Sequence, residues 1–405
     1  MASGPEYLDV ERPLIEQLQG LGWTYIEGSL DDPGVTHRER FAQVVLEPLL
    51  RERLAAINLR DGAAWLDETR INQAVSAITR IAAAKVMEAN QSTTELLLKG
   101  LVVEGLPDWD GGRGQTLRFI DWDTPENNSF TVINQFKIKC PPGHESANKQ
   151  HVIPDLVLFV NGIPLVVIEC KGRTVPEGLQ DAVDQLRRYH DQRMLDFEVE
   201  AHEGVPALFH TNQFLIATNF DDARVGTIGA GFAHYLNWKT LAPQTEAEVA
   251  ASLGVQTLSS QQRLVAGMLA PRNLLDIVRH YTLFMNVGGQ TIKLVCRYQQ
   301  FRAVTNAVHR LKTGKTREDD GEHDRRGGII WHTQGSGKSL TMVFLVRKLR
   351  TDPELRRFKV VIITDRNDLQ TQLSGTADLT GETVHVANNT GKLKNLIARP
   401  GPGLV

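Results

Sequence analysis

Residues 152–170 constrain the fold of this chain more than any other stretch. Two apolar runs, 152–160 and 163–170, flank Asn161-Gly162. Asn-Gly suits a two-residue turn with positive φ at both central positions, so the pair predicts a β-hairpin. Leu165-Val166-Val167-Ile168 is apolar enough for a buried strand, yet Glu169-Cys170-Lys171 ends it. Charges at the end of a buried strand need a reason. Around the hairpin, residues 130–138 read as a strand, 177–192 as a helix and 214–218 as another apolar strand. That β-β-β-α-β order predicts an α/β fold with a mixed sheet flanked by helices.

Upstream, the pattern predicts a helix over 37–57 interrupted by Pro48, a second over 68–90, and a loop at 106–128. Downstream, residues 237–270 are polar and read as a linker with some helix. A short amphipathic helix follows at 273–284, and a new α/β unit starts near Val287. Residues 313–328 read as a charged, solvated insertion. The expected domains are 1–236, a helical linker 237–285, and 286–405. The length of 405 residues suits two or three domains. Lys and Arg total 45 against 48 Asp and Glu, which excludes a uniformly basic nucleic-acid binder. Cys140, Cys170 and Cys296 are far apart and form no CxxC pair, which suggests a reducing, cytosolic setting. No secretory signal or membrane span is read from the sequence.

Asp155 and Glu169 are the first chemical candidates. Two carboxylates at adjacent strand ends offer hard oxygen ligands for Mg²⁺, which can polarise a phosphodiester and activate a water. Lys171, two residues after Glu169, leaves the same face of the strand and can orient that water. Gln185 and Tyr189 are four apart on the following helix and share a face, suited to a DNA phosphate or a metal-bound water. His37 and Glu39 open the first expected helix and read as a solvated helix start.

A second centre lies at Thr333-Gln334-Gly335-Ser336-Gly337-Lys338-Ser339. It follows an apolar run, 328–331, expected as a strand, and precedes an expected helix from Leu340, the context a phosphate-binding loop requires. Gly335 and Gly337 let backbone N–H groups curl around phosphates. Lys338 supplies a point charge, and the Ser339 hydroxyl can ligate Mg²⁺. Gln300 offers an amide able to read an adenine edge. Residues 360–363 read as a buried parallel strand leading to Asp365, Arg366 and Asp368.

Taken in order, Pro154-Asp155, Glu169-x-Lys171, Gln185-x-x-x-Tyr189, Arg297-x-x-Gln300, the Gly-Ser-Gly-Lys-Ser loop and Thr364-Asp365-Arg366 resemble the restriction (motor) subunit of type I restriction-modification enzymes. The resemblance runs from about Val35 to the C-terminus. It implies a RecB-like PD-(D/E)xK nuclease followed by a RecA-like superfamily 2 lobe. It further implies Mg²⁺ and ATP as cofactors. The implied partners are double-stranded DNA and methyltransferase and specificity subunits, in the cytoplasm. By the resemblance, Asp155 and Glu169 are metal ligands and Lys171 the catalytic lysine, with Gln185 and Tyr189 beside them. Gln300 reads adenine, Thr333 to Ser339 bind phosphate and Mg²⁺, and Arg366 lies in a segment that touches the DNA backbone. No DEAD- or DEAH-like carboxylate pair follows Ser339, so the motor lobe is expected to be incomplete and complete ATP hydrolysis is not carried over. Two other readings stay open: a nuclease-inactive, nucleotide-responsive DNA-binding scaffold, and a RecB- or type III-like nuclease-helicase.

The hairpin carries an internal conflict. A two-residue turn pairs Val160 with Ile163, sets Asp155 opposite Ile168, and turns Glu169 to the wrong face. One extra residue, in a longer loop or a β-bulge, brings the two acids together at about 4–6 Å, close enough to share one ion. Pro164, with no N–H for the ladder, marks the place.

Overall fold

The computed structural model describes residues 4–83, 85–143, 150–191, 204–364 and 378–405. They divide into two compact units. The first holds the chain up to Arg279 together with Asn286–Val295, and the second holds His280–Met285 with Cys296–Val405.

A seven-stranded mixed sheet organises the first unit. Its strands are β1 (Thr24–Ile26), β2 (Phe130–Asn134), β3 (Leu156–Val160), β4 (Ile163–Cys170), β5 (Phe214–Thr218), β6 (Ala223–Gly226) and β7 (Leu236–Asn237). They lie side by side in chain order. β1 runs parallel to β2, and β4 parallel to β5; every other neighbouring pair is antiparallel. The parallel step from β4 to β5 needs a crossover, which helix Gly178–Tyr189 supplies. All residues of β2 to β5 are buried, so both faces of the central strands are covered. The crossover helix lays Leu179, Ala182, Val183 and Leu186 against Val167, Leu215 and Ala217 of the sheet.

Several expectations are corrected here. A π-helical segment, Tyr7–Glu11, running into helix α1 (Arg12–Gly20), opens the unit. The helix expected from residue 37 starts at Glu47 instead. Pro48 falls in the first turn of α2 (Glu47–Ile57), where a helix needs no N–H from proline. The single helix expected over 68–90 is two, α3 (Glu68–Thr79) and α4 (Val86–Lys99). No Gly or Pro marks that break; packing overrides propensity there. The strand expected over 130–138 stops at Asn134, where Gln135 takes φ +46°, and Ile138–Lys139 pairs separately with His151–Val152. The expected loop at 106–128 contributes a strand, Gln115–Leu117, paired with Leu101–Val103. The crossover helix, α5 (Gly178–Tyr189), is shorter than 177–192.

The stretch read as a linker carries α6 (Glu246–Leu253), α7 (Ser260–Leu264), a π-turn Val265–Leu269 and α8 (Pro271–His280). It pins the N-terminal segment to the first unit. Trp23 donates to the Leu269 carbonyl, Gln17 to that of Gln262, and Gln261 to that of Val10.

In the second unit, α9 (Tyr298–Thr313) and α10 (Lys338–Thr351) sandwich Tyr281 between Phe301 and Phe344, at ring distances of 5.1 and 5.5 Å. Two short strands, β8 (Lys359–Val360) and β9 (Gly403–Leu404), pair in parallel. The strand expected at 328–331 does not form: Ile329 is 95% exposed and Trp331 81%. It has no hydrogen-bonded neighbour strand among the described residues. The strand expected at 360–363 is likewise reduced to its first residue, and Ile363 stands exposed. Asp365, Arg366 and Asp368 lie outside the described residues. No helix among the described residues is long and apolar enough to cross a membrane.

The β3–β4 turn is the tight point of the sheet. Asn161 and Gly162 both have positive φ, at 52° and 77°. A Cβ on Gly162 would stand 2.5 Å from the Leu46 carbonyl oxygen. Gly162→Ala is expected to lower stability by about 2 kcal/mol in urea unfolding. Gly254 also has positive φ but open space around it. Gly254→Ala is expected to cost only about 1 kcal/mol. Equal losses at the two sites would contradict the steric argument.

Candidate active site

The turn pairs Val160 with Ile163 and Phe159 with Pro164, as a two-residue loop demands. The register then shifts, and Leu158 pairs with Val166, so Leu165 is the extra residue of a bulge. Beyond it, Val157 faces Val167 and Leu156 faces Ile168. Continued by one step, this register sets Asp155 opposite Glu169, the juxtaposition the bulge was expected to produce.

Both acids are buried, Asp155 to 8% exposure and Glu169 to 1%. The Cys170 N–H donates to Asp155 Oδ2 at 2.7 Å. Lys171 Nζ donates to Glu169 Oε1 and to Gln185 Oε1, each at 3.0 Å. Gln185 Nε2 donates to the Tyr189 hydroxyl at 2.6 Å, and that hydroxyl donates to the Ile153 carbonyl at 3.2 Å. The i,i+4 pair on α5 therefore grips the lysine and ties it to the residue just before Pro154. The pair expected from the sequence to meet a phosphate or a metal-bound water is thus hydrogen-bonded to the lysine and to the Ile153 carbonyl.

Two further acids join this centre. Glu6, Glu11 and Asp155 each bring a carboxylate oxygen within 4.8 Å of the others. Glu11 is 3% exposed, and its Oε2 has no hydrogen-bond partner; nor has Glu169 Oε2. Glu6 accepts from the Gly172 N–H at 3.0 Å, just past Lys171. Sequence reasoning missed both; His37 and Glu39, read there as a solvated start, are exposed. A signal was present. Leu14, Ile15 and Leu18 lie three, four and seven residues after Glu11, so Glu11 sits on the buried face of the first helical segment.

The electrostatics follow from burial. Desolvation, then the charges of Asp155 and Glu6, push Glu11 up to about 8. Burial pushes Asp155 up to about 6, against the Cys170 N–H that holds it down. Burial and the neighbouring Asp155 hold Glu169 well above the usual carboxylate range. Burial depresses the Lys171 ammonium, but the charges of Glu169 and Asp155 outweigh it and leave the net shift upward. Hard carboxylate oxygens, two of them without donors, crowded until they resist ionisation, fit a divalent cation.

In the second unit, Gly335 and Gly337 take φ of 75° and 81°, and α10 starts directly after them. The Ser336 hydroxyl donates to the Thr333 carbonyl, and exposed Lys338 donates to the His332 carbonyl at 2.8 Å. Gln300 is buried. Its Nε2 donates to the Gly337 carbonyl at 3.0 Å, and its Oε1 accepts from the Arg297 N–H. The amide expected to read adenine thus braces the loop here. Thr333 is exposed and Ser339 half-buried at the first turn of α10.

The family of the N-terminus of type I restriction enzyme R proteins matches residues 6–234. The chain belongs to the type I restriction enzyme R protein family. Residues 299–405 match the SWI2/SNF2 ATPase family. The endonuclease subunit of the type I restriction enzyme HindI from Haemophilus influenzae is 32% identical over 401 residues, covering 96% of this chain and 35% of that protein. A putative type I restriction enzyme MjaIXP endonuclease subunit from Methanocaldococcus jannaschii is 26% identical over 411 residues, covering 98% and 36%. The chain spans about a third of the length of these relatives.

A pH dependence follows for the cation-free R-protein chain. Glu11 has a folded pKa of about 8 against an ordinary 4.5, so the folded state binds the proton more tightly. Stability is then present below the ordinary value and is lost as pH rises through about 8. The thermal midpoint in chelator is expected to fall over that window, and Glu11→Gln to flatten the fall. A midpoint rising with pH would contradict the assignment.

Proposed function

We propose that this chain is the N-terminal part of a metal-dependent DNA endonuclease subunit of an ATP-dependent type I restriction enzyme. In this reading the first unit is a RecB-like PD-(D/E)xK nuclease, and the second is part of a RecA-like lobe. Duplex DNA is cut after ATP-driven translocation by the complete motor. Methyltransferase and specificity subunits are its partners in the cytoplasm. The observation that carries the reading is the bulge at Leu165, which aligns Asp155 with Glu169 beside Lys171.

Asp155 and Glu169, with Glu11, would hold Mg²⁺. The bound cation would polarise the scissile phosphate and acidify a water. Lys171 keeps a proton on Nζ, held toward Glu169 by Gln185, and its ammonium orients the attacking water and offsets charge gathering on the phosphate oxygens. Tyr189 and Gln185 hold the lysine in place. In the second unit, Thr333, Gly335, Ser336, Gly337 and Lys338 would wrap the phosphates of ATP, and Ser339 would ligate its Mg²⁺. Gln300 would turn from Gly337 to the adenine.

Mg²⁺-dependent nicking of plasmid DNA by this chain, abolished by Asp155→Ala, is the expected result. Mg²⁺-dependent DNA binding without any nicking would favour the inactive scaffold instead. Lys338→Ala is expected to weaken ATP binding at least tenfold by calorimetry while the melting profile stays unchanged, since Lys338 is exposed and buries nothing. Unchanged ATP affinity would remove the phosphate-loop role.

A further inference from the structure

We propose that the cleft beside Lys171 takes an unpaired nucleobase of the DNA bound there, with a preference for a base that carries an exocyclic amine. The proposal rests on the reading of Lys171 and its neighbouring acids as a nuclease centre and adds a base-binding site to it.

Topology supplies the first argument. β4 and β5 run parallel, and α5 joins them. In such a unit ligands bind in the crevice outside the carboxyl ends of the strands. An open cleft of about 430 Å³ lies there, between the segment after β4, the start of α5 and the segment after β5. That volume falls in the ~300–1,000 Å³ range of small-ligand sites. The cleft adjoins the lysine, since a Cβ on the lining residue Gly178 would stand 3.1 Å from Lys171 Cβ.

The lining supplies the second. Val175, Leu179 and Phe232 give the cleft an apolar side, and Val175 is left 41% exposed. An aromatic ring beside exposed aliphatic surface suits a flat, stacking ligand. Glu177 and Phe220, one on each segment that shapes the cleft, hold left-handed backbone at φ 55° and 77°. Such strain persists only where the surroundings impose it.

Open polar groups supply the third. Asn219 Oδ1 accepts from the Asp222 N–H, and its Nδ2 has no partner among the described residues. Gln180 donates Nε2 to Asp184, and its Oε1 accepts from nothing among the described residues. Glu177 is exposed. One open donor beside open acceptors matches adenine or cytosine, which present an amine next to a ring nitrogen. Thymine presents carbonyls and no amine, and a carboxylate repels them. The same carboxylate, in a lining without Lys or Arg, disfavours a phosphate in the cleft. The phosphate then stays at Lys171, and a neighbouring base, unstacked, enters the cleft.

The test is fluorescence anisotropy of end-labelled duplexes with the purified chain, Ca²⁺ replacing Mg²⁺ to slow cutting. The duplexes are fully paired, or carry one extra adenosine, thymidine or abasic residue in one strand. The extra adenosine is expected to tighten binding about tenfold over the abasic residue, the size of one base–aromatic stack, and thymidine to do less. Phe232→Ala is expected to remove the advantage. So is Asn219→Asp, which keeps the acceptor for the Asp222 N–H and loses the open donor. Glu177→Gln is expected to bring thymidine level with adenosine, because an amide adds a donor. A cooperative melt, checked for each variant, shows that it folds. Equal affinity for the adenosine and abasic duplexes would overturn the cleft site; plasmid nicking that still depends on Asp155 would leave the nuclease reading standing. An adenosine advantage that survives both Phe232→Ala and Asn219→Asp would put the base elsewhere and overturn the site as well. No binding of any duplex by the folded chain would overturn both readings.

Discussion

One inserted residue, Leu165, decides which side chains the open end of the β3–β4 hairpin brings together. Strand side chains alternate with a period of two, so a ladder shifted by one residue turns every later side chain to the opposite face. The tight Asn161-Gly162 turn fixes one register and the site requires the other. The bulge reconciles them within a few residues of the turn, where Pro164 has no N–H to lose from the ladder. Burial supports the arrangement. Thr211 donates to the Pro164 carbonyl, and the Gln213 N–H and the Asn212 side chain both reach the Leu165 carbonyl. The irregular backbone is therefore satisfied even though the ladder is interrupted.

From that alignment the other catalytic candidates follow. Lys171 lies two residues beyond Glu169, on the same face, and α5 crosses that face on its way to β5. The hydrogen-bond chain from Lys171 through Gln185 and Tyr189 to Ile153 closes a loop between the two arms of the hairpin. Parallel pairing of β4 with β5 obliges the crossover, and the crossover delivers the brace.

Much of this was legible in sequence because it is local. The turn, the apolar strands, the acids at their ends, the i,i+4 pair and the glycine loop all declare themselves within about twenty residues. The register shift was legible too, from the clash between turn geometry and the positions of Asp155 and Glu169. What stayed hidden is non-local. Glu11 sits more than 140 residues from Asp155 in sequence, and long-range packing through Gln17, Trp23 and Gln261, with the Glu6–Gly172 hydrogen bond, brings its segment to the sheet end. The strand expected at 328–331 failed for a related reason. An apolar run becomes a strand only where a neighbour pairs with it, and Ile329 and Trp331 have none among the described residues.

A second buried charge shows that the acidic centre is not an ordinary feature of this interior. Lys293 is 2% exposed, and burial holds its pKa well below the usual lysine range. Its ammonium reaches Asn90 Oδ1 at 2.8 Å, the Asn212 carbonyl at 2.6 Å and Gln213 Oε1 at 3.2 Å. Asn90 is itself held by the carbonyls of Phe209 and Asn212. This is how a fold accommodates a buried charge for structural purposes, with neutral acceptors placed around every donor. The carboxylates of Glu11 and Glu169 are buried as deeply, yet each keeps an oxygen with no donor. The same interior that fully satisfies Lys293 leaves the acids short, and it does so at the end of the sheet where a bulge has been spent to bring them together. An arrangement that is costly alone and repaid on taking up positive charge is what the proposed cation centre requires and the core does not.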